Sequence, residues 1–228
     1  MKKITLILIC IAVVVPLFAF EAGGGISVFI PESLYKYGEG TISFEKTVST
    51  SIGFGKVISI PLGINYHQAD GYVIESDSLK KVDGPMLYGD TLSAFVMLQA
   101  KIPVSIVYVK LFGGGTVNWA FVLRPYTGFF DKALAENGGD VAVDSYSFEP
   151  SLGYGWIAGG AFGVNIGQIS VDLGVAYRDI RHTLAFDARG YEVAPASGNV
   201  SNAISVDESD AVLALRGLSV SLAGSFAF

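Results

Sequence analysis

The stretch Val57-Ile58-Ser59-Ile60-Pro61-Leu62-Gly63-Ile64-Asn65-Tyr66-His67 decides the fold. Ile58, Ile60, Leu62, Ile64 and Tyr66 recur at every second position. Between them stand Ser59, Pro61, Gly63, Asn65 and His67. Successive side chains of a strand point to opposite faces. A period of two therefore predicts a strand with one apolar and one small or polar face.

The pattern repeats along the chain. Thr41 to Phe54 sets Ile42, Phe44, Val48, Ile52 and Phe54 against Ser43, Glu45, Thr47, Ser49 and Ser51. Thr91 to Lys101 sets Leu92, Ala94, Val96 and Leu98 against Ser93, Phe95, Met97 and Gln99. Ser147 to Val164 and Gln168 to Phe186 alternate likewise. In Val104 to Phe121 the phase follows from Lys110, which would cost roughly 2–4 kcal/mol facing lipid at mid-membrane. Turning it inward sends Val107, Val109, Leu111 and Val117 outward. A short first strand, Gly23 to Ile30, and a last one, Glu208 to Phe228, bring the expected number to about eight. Tight turns around Gly53–Lys56, Lys101–Pro103 and Asn165–Gln168 alternate with connections at Pro31–Glu39, Gln68–Asp90, Val122–Tyr146 and Asp187–Asp207. Membrane barrels show this alternation, with tight turns periplasmic and long loops extracellular.

Composition agrees. Apolar residues make up 51% of the 228 residues and charged ones 16%, against about 25% in soluble domains. The mean hydropathy is +0.50. Only Ile4 to Phe20 is a long apolar run, and Lys2 and Lys3 precede it. A positive start, an apolar run and a small-residue exit describe a secretory signal peptide. Residues 1–22 are therefore expected to be a leader cleaved between 19 and 22, and 23–228 a barrel. Cutting after Ala19 places Leu17 and Ala19 at the −3 and −1 positions; a retained anchor helix is the competing reading. The lone Cys10 lies inside the apolar run, which argues against lipidation and leaves a mature chain without disulfides. A formal charge of −6 argues against a nucleic-acid partner.

The expected fold class is all-β: an up-and-down antiparallel transmembrane β-barrel. Counting up from the tight turns places Phe54, Phe162, Phe226 and Phe228 near one membrane edge. Phe44, Tyr66, Tyr154, Trp156 and Tyr177 fall near the other, making two aromatic girdles. Lys46 and Arg216 would face outward near the outer edge, where long cations snorkel. A secreted lipocalin-type barrel is the competitor, because alternation alone does not tell inside from outside.

The chain stops at Ala223-Gly224-Ser225-Phe226-Ala227-Phe228. A last strand ending in phenylalanine, with Val220, Leu222 and Phe226 in phase, resembles the sorting signal of bacterial outer-membrane barrels. That resemblance implies that the assembly machinery reads the strand by edge pairing. The mature chain as a whole resembles the small eight-stranded barrels, the OmpW, OmpX and OmpA-barrel group. With its last residues on the barrel strand, it is expected to lack the peptidoglycan-binding domain that follows in OmpA proper. The resemblance implies an outer-membrane location, loops extracellular and both termini periplasmic, with outer-membrane lipid as solvent.

An eight-stranded barrel is barely wide enough for its own side chains, which excludes a wide pore. Its expected lumen holds Glu45, Lys110, Asp172 and Arg178, two acids and two bases. They form either a salt-bridged plug or a gated polar conduit. OmpW-type barrels, as the resemblance implies, pass small hydrophobic compounds through an apolar upper pocket. Phe29, Phe95, Phe112, Leu213 and Leu215 are the candidates for such a pocket. The expected function is a narrow channel or transporter for small compounds, hydrophobic ones included. The alternative is a surface-exposed structural or adhesive barrel whose loops contact host or environmental partners. Catalysis is not expected: only His67 and His182 are available, neither beside a suitable serine. Cofactor and metal are expected to be none. Asp207, Glu208 and Asp210 lack calcium-loop spacing.

Overall fold

Alternating side chains build one antiparallel sheet that closes on itself. The computed structural model describes residues 18–38, 41–54, 57–75, 87–125, 140–150, 152–193 and 200–228. Its strands are β1 (Phe18–Pro31), β2 (Ser43–Phe54), β3 (Ile58–Glu75), β4 (Leu87–Val104) and β5 (Val107–Pro125). They continue with β6 (Asp140–Pro150), β7 (Gly153–Ile166), β8 (Ile169–Val193) and β9 (Val200–Ala227). A short helix, α1 (Glu32–Tyr37), joins β1 to β2. The wall runs β1, β2, β3, β4, β5, β7, β8, β9, and β9 returns to β1 from Glu21↔Ala227 to Pro31↔Gly217. Since β6 continues the line of β7 along β8, the nine strands make eight staves.

The strands are longer than the alternation indicates, so several expected loops shrink. The first strand begins at Phe18, because Phe18↔Phe54 pairing already starts there. The Gln68–Asp90 connection is strand to Glu75 and again from Leu87. Strands β5, β8 and β9 likewise run into the expected loops. The turn expected at Lys101–Pro103 falls at Ser105 and Ile106, since Ile102 and Val104 still face outward. Ser105 takes a φ of 62° there, and Gly167 one of 65° in the β7–β8 turn. Residues 1–17, with Cys10, and the long connections at 76–86, 126–139 and 194–199 lie outside the described residues.

The β1–β2 hairpin is shorter than its neighbours and is capped by α1. Beyond it β3 and β9 pair directly, from Val73↔Ala214 to Glu75↔Val212. To reach β9, β3 must bend across the hairpin. It does so at a bulge between Asp70 and Tyr72, where Gly71 has a φ of 98°. A side chain would not fit: a Cβ on Gly71 would lie 2.5 Å from Ser33 Oγ and 2.7 Å from Pro31 Cβ. The barrel thus narrows toward its long-connection end.

The opposite change occurs between β5 and β6. The β5–β7 ladder ends at Asn118↔Gly153, and among the described residues β6 pairs only with β8. Pro150 closes β6 without an N–H to donate. The wall is unzipped there.

Exposure decides which face is outside. Phe44 is 73% exposed, Leu173 59% and Ile64 52%, whereas Glu45 is 1% and Arg178 5%. A lipocalin-type barrel would reverse this, with apolar residues inside. The apolar belt faces lipid, and no helix among the described residues is long and apolar enough to cross a membrane. Phe54, Phe162, Phe226 and Phe228 ring the turn end, all exposed. Phe44, Tyr66, Tyr154 and Trp156 stand exposed toward the loop end, with Tyr177 5.6 Å from Trp156. Trp119 and Phe121, absent from the expected girdle, belong to it: Phe121 stacks on Tyr66 at 6.4 Å and meets Trp119 at 5.7 Å. Lys46 is exposed, and Arg216 pairs with Asp179 at 3.2 Å.

Candidate functional site: the lumen

Three layers fill the lumen. At the loop end Phe29, Tyr72, Leu87, Ile180, Leu184, Leu213 and Leu215 are each at most 1% exposed. The Tyr72 hydroxyl is hydrogen-bonded to that of Thr91. The narrowing by β3–β9 pairing makes this packing tight. Each such side chain contributes roughly 1.5–3 kcal/mol by its burial.

Below that plug lies an ion pair. An Arg178 Nη2–H donates to Glu45 Oε2 at 2.5 Å, and Ser27 Oγ donates to the same oxygen at 2.6 Å. Arg178 also bonds Ser219 and sits 4.6 Å from the Phe29 ring centroid. His67 Nδ1 stands 3.8 Å from Glu45 Oε1. Among the described residues neither His67 nitrogen has a hydrogen-bond partner. His182 is equally buried and lies over Gly153, where a Cβ would meet its ring at 2.5 Å.

The turn-end half is polar and open. Lys110 Nζ donates to Asp172 Oδ2 at 2.8 Å, and the Tyr108 hydroxyl donates there at 3.0 Å. Lys101 Nζ donates to Asn165 at 3.0 Å and lies 4.2 Å from the Tyr108 ring centroid. Between the Glu45 layer and this end is a cavity of about 190 Å³. A second, of about 280 Å³, forms the mouth, and the two share Glu21, Ser51 and Gln99.

The four expected lumen charges are all inside, but as two pairs rather than one network. The five apolar candidates do not form one pocket. Phe29, Leu213 and Leu215 pack in the plug, while Phe95 and Phe112 line the cavity below the Glu45–Arg178 pair. Spacing gives their phase but not their height. Val220, Leu222, Phe226 and Phe228 face outward on β9, and the Phe228 N–H donates to the Phe20 carbonyl at 2.9 Å. Tyr72 and Leu87 were not foreseen, because they lay in an expected loop. The signal available was β-branched or aromatic residues at alternate positions from Tyr72 to Ile74. The side chains of Asp207, Glu208 and Asp210 lie outside the described residues. Among the described residues no three His, Cys, Asp or Glu side chains come together as metal ligands.

A closed eight-stave barrel with an apolar belt, two aromatic girdles and a charged interior is a transmembrane β-barrel of outer-membrane type. No family model matches the chain, and no curated protein does. Solved structures resemble it in fold. Neisserial surface protein A is 12% identical, with 92% of this chain and 97% of that one covered and a TM-score of 0.46. A major outer membrane protein from Thermus thermophilus is 13% identical over 92% and 99%, at 0.49. The outer membrane protein OprG from Pseudomonas aeruginosa is 14% identical over 90% and 95%, at 0.45.

Proposed function

We propose that this chain is a closed outer-membrane barrel that acts through its extracellular end, which we assign to the long connections. The plug carries this reading. Among the described residues, seven large side chains at most 1% exposed pack across the loop end over a buried ion pair. The strands continue past the hairpin into that end, and on this reading the connections at 76–86, 126–139 and 194–199 are the contacts for host or environmental surfaces. Two measurements test it. The refolded barrel in planar bilayers should show no steady conductance; a stable open level overturns closure. Replacing 76–86 by a short Gly-Ser linker should leave heat-modifiability intact and abolish cell-surface attachment. Attachment unchanged by shortening any of the three connections overturns the surface role.

A second reading, passage of small hydrophobic compounds, is favoured by the unzipped β5–β6 wall. Trp119, Phe121 and Leu152 are exposed on its outer side. Faster uptake of small apolar solutes into barrel-containing vesicles than into empty ones would support it. Equal rates would count against it.

A further inference from the structure

We infer that the cavity below the Glu45–Arg178 pair is a binding site, open from the turn end, for a neutral, hydroxyl-rich small molecule of monosaccharide type. The inference concerns the half of the lumen that the plug does not occupy and does not rest on the loop-end role.

The walls of the cavity are of two kinds. Strands β2 and β9, flanking β1, bring Ser49, Ser51, Ser221 and Ser225 to it. Strands β4 and β5, on the far side of the ring, bring Phe95 and Phe112. Hydroxyls both donate and accept, while rings offer apolar faces. A ligand matched to both is hydroxylated around its rim and has an apolar C–H face, as a pyranose has.

Charge narrows the class. Each cation of the cavity wall is held by a carboxylate, Lys110 by Asp172 and Arg178 by Glu45, and the remaining wall acid, Glu21, accepts from Ser225 Oγ at 3.4 Å. An anion would lose its hydration and find both wall cations already held by carboxylates, and a cation would find only Glu21, at the neck, to offset the same loss. A wholly apolar one would cover the serines and leave their bonds unmade. The volume of about 190 Å³ is far above the roughly 10–15 Å³ that one water needs. Entry is from one side. The plug closes the loop end, and the mouth cavity joins through Glu21, Ser51 and Gln99 at the other. Gln99 is held at this neck by its bond to Ser59 Oγ at 3.0 Å.

The test is calorimetric titration of the full barrel, refolded in a detergent without a sugar head group. Glucose and N-acetylglucosamine are the probes; glucose 6-phosphate and glycine betaine are the charged comparators. Saturable one-to-one binding of a neutral sugar is expected. Phe112→Ala and, on the opposite wall, Ser221→Leu should each weaken it about tenfold or more. Tyr35→Ala, on the outer surface, should leave it unchanged. Heat-modifiability verifies folding of each variant, and either wall variant suffices if the other does not assemble. No binding of either sugar at about 100 mM, where even a very weak site fills, overturns the inference. So does preferential binding of a charged comparator, or sugar binding that is indifferent to the folded wall variants.

Discussion

Glu45 on β2 and Arg178 on β8 stand 133 positions apart in the chain and 2.5 Å apart in the lumen. Both are nearly inaccessible, at 1% and 5% exposure. Removing one partner strands the other charge, which typically costs about 3–5 kcal/mol, whereas removing both costs far less. Glu45→Gln and Arg178→Met should each lower stability by about that amount, and the double variant should recover much of it. Urea unfolding in lipid vesicles measures all three. Simple additivity of the two losses would contradict a direct pair.

Gly71 and Gly38 both have positive φ but differ in surroundings. A Cβ on Gly71 would run into Ser33 and Pro31, while one on Gly38 meets nothing within 4 Å. Gly38→Ala should therefore cost about 1 kcal/mol for backbone strain alone. Gly71→Ala should cost more, about 2–3 kcal/mol, by adding a clash at the bend that closes β3 on β9. Equal losses in the same unfolding assay would remove the clash from the account.

Membrane depth can be read by arginine scanning. Leu173, 59% exposed on β8, lies between the girdles, and Phe44 lies in one of them. Leu173→Arg should cost about 2–4 kcal/mol and Phe44→Arg at most about 1. Reversed magnitudes would move the apolar belt along the barrel.

The start of β1 bears on leader cleavage. Phe20 accepts from the Phe228 N–H at 2.9 Å, and Glu21 accepts from Ser225 Oγ at 3.4 Å and, at its carbonyl, from Thr50 Oγ1 at 3.0 Å. Cleavage after Ala22 would discard all three bonds. Intact mass of the protein from outer membranes should correspond to a chain beginning at Phe20. A mass beginning at Gly23 would refute this.

The last strand closes the barrel against the first. Phe228→Ser should slow delivery to the outer membrane while leaving refolding in detergent nearly unchanged, since Phe228 is 78% exposed. Cell fractionation and in vitro refolding read the two effects apart. Parallel loss of both would make Phe228 a packing residue instead of a signal.

The staves were legible wherever one face meets lipid and the other the lumen. Ile58 to Tyr66 and Ile169 to Tyr177 alternate for that reason, and their structural phase is the one their spacing predicts. The alternation fades past the membrane, where both faces of β3 and β9 are protein-like or aqueous. That is why Tyr72 and Leu213 could not be seen as neighbours in one plug. The alternation from Ser147 to Val164 predicts one strand, whereas the structure divides it at Pro150, which ends β6 before β7 begins at Gly153, because proline has no N–H to continue the ladder.

The sequence by itself determined the strands, the two faces of each and which charges share a face, because a two-residue period is a local property; exposure in the closed barrel then decided which face meets lipid. Only the tertiary structure decided the height of each inward residue. Pairing register sorted four charges into two pairs, placed Phe29 above the ion pair and Phe95 below it, and separated a packed plug from an open cavity. Height around a closed ring is the sum of every strand offset, and no single stretch of the chain carries that sum.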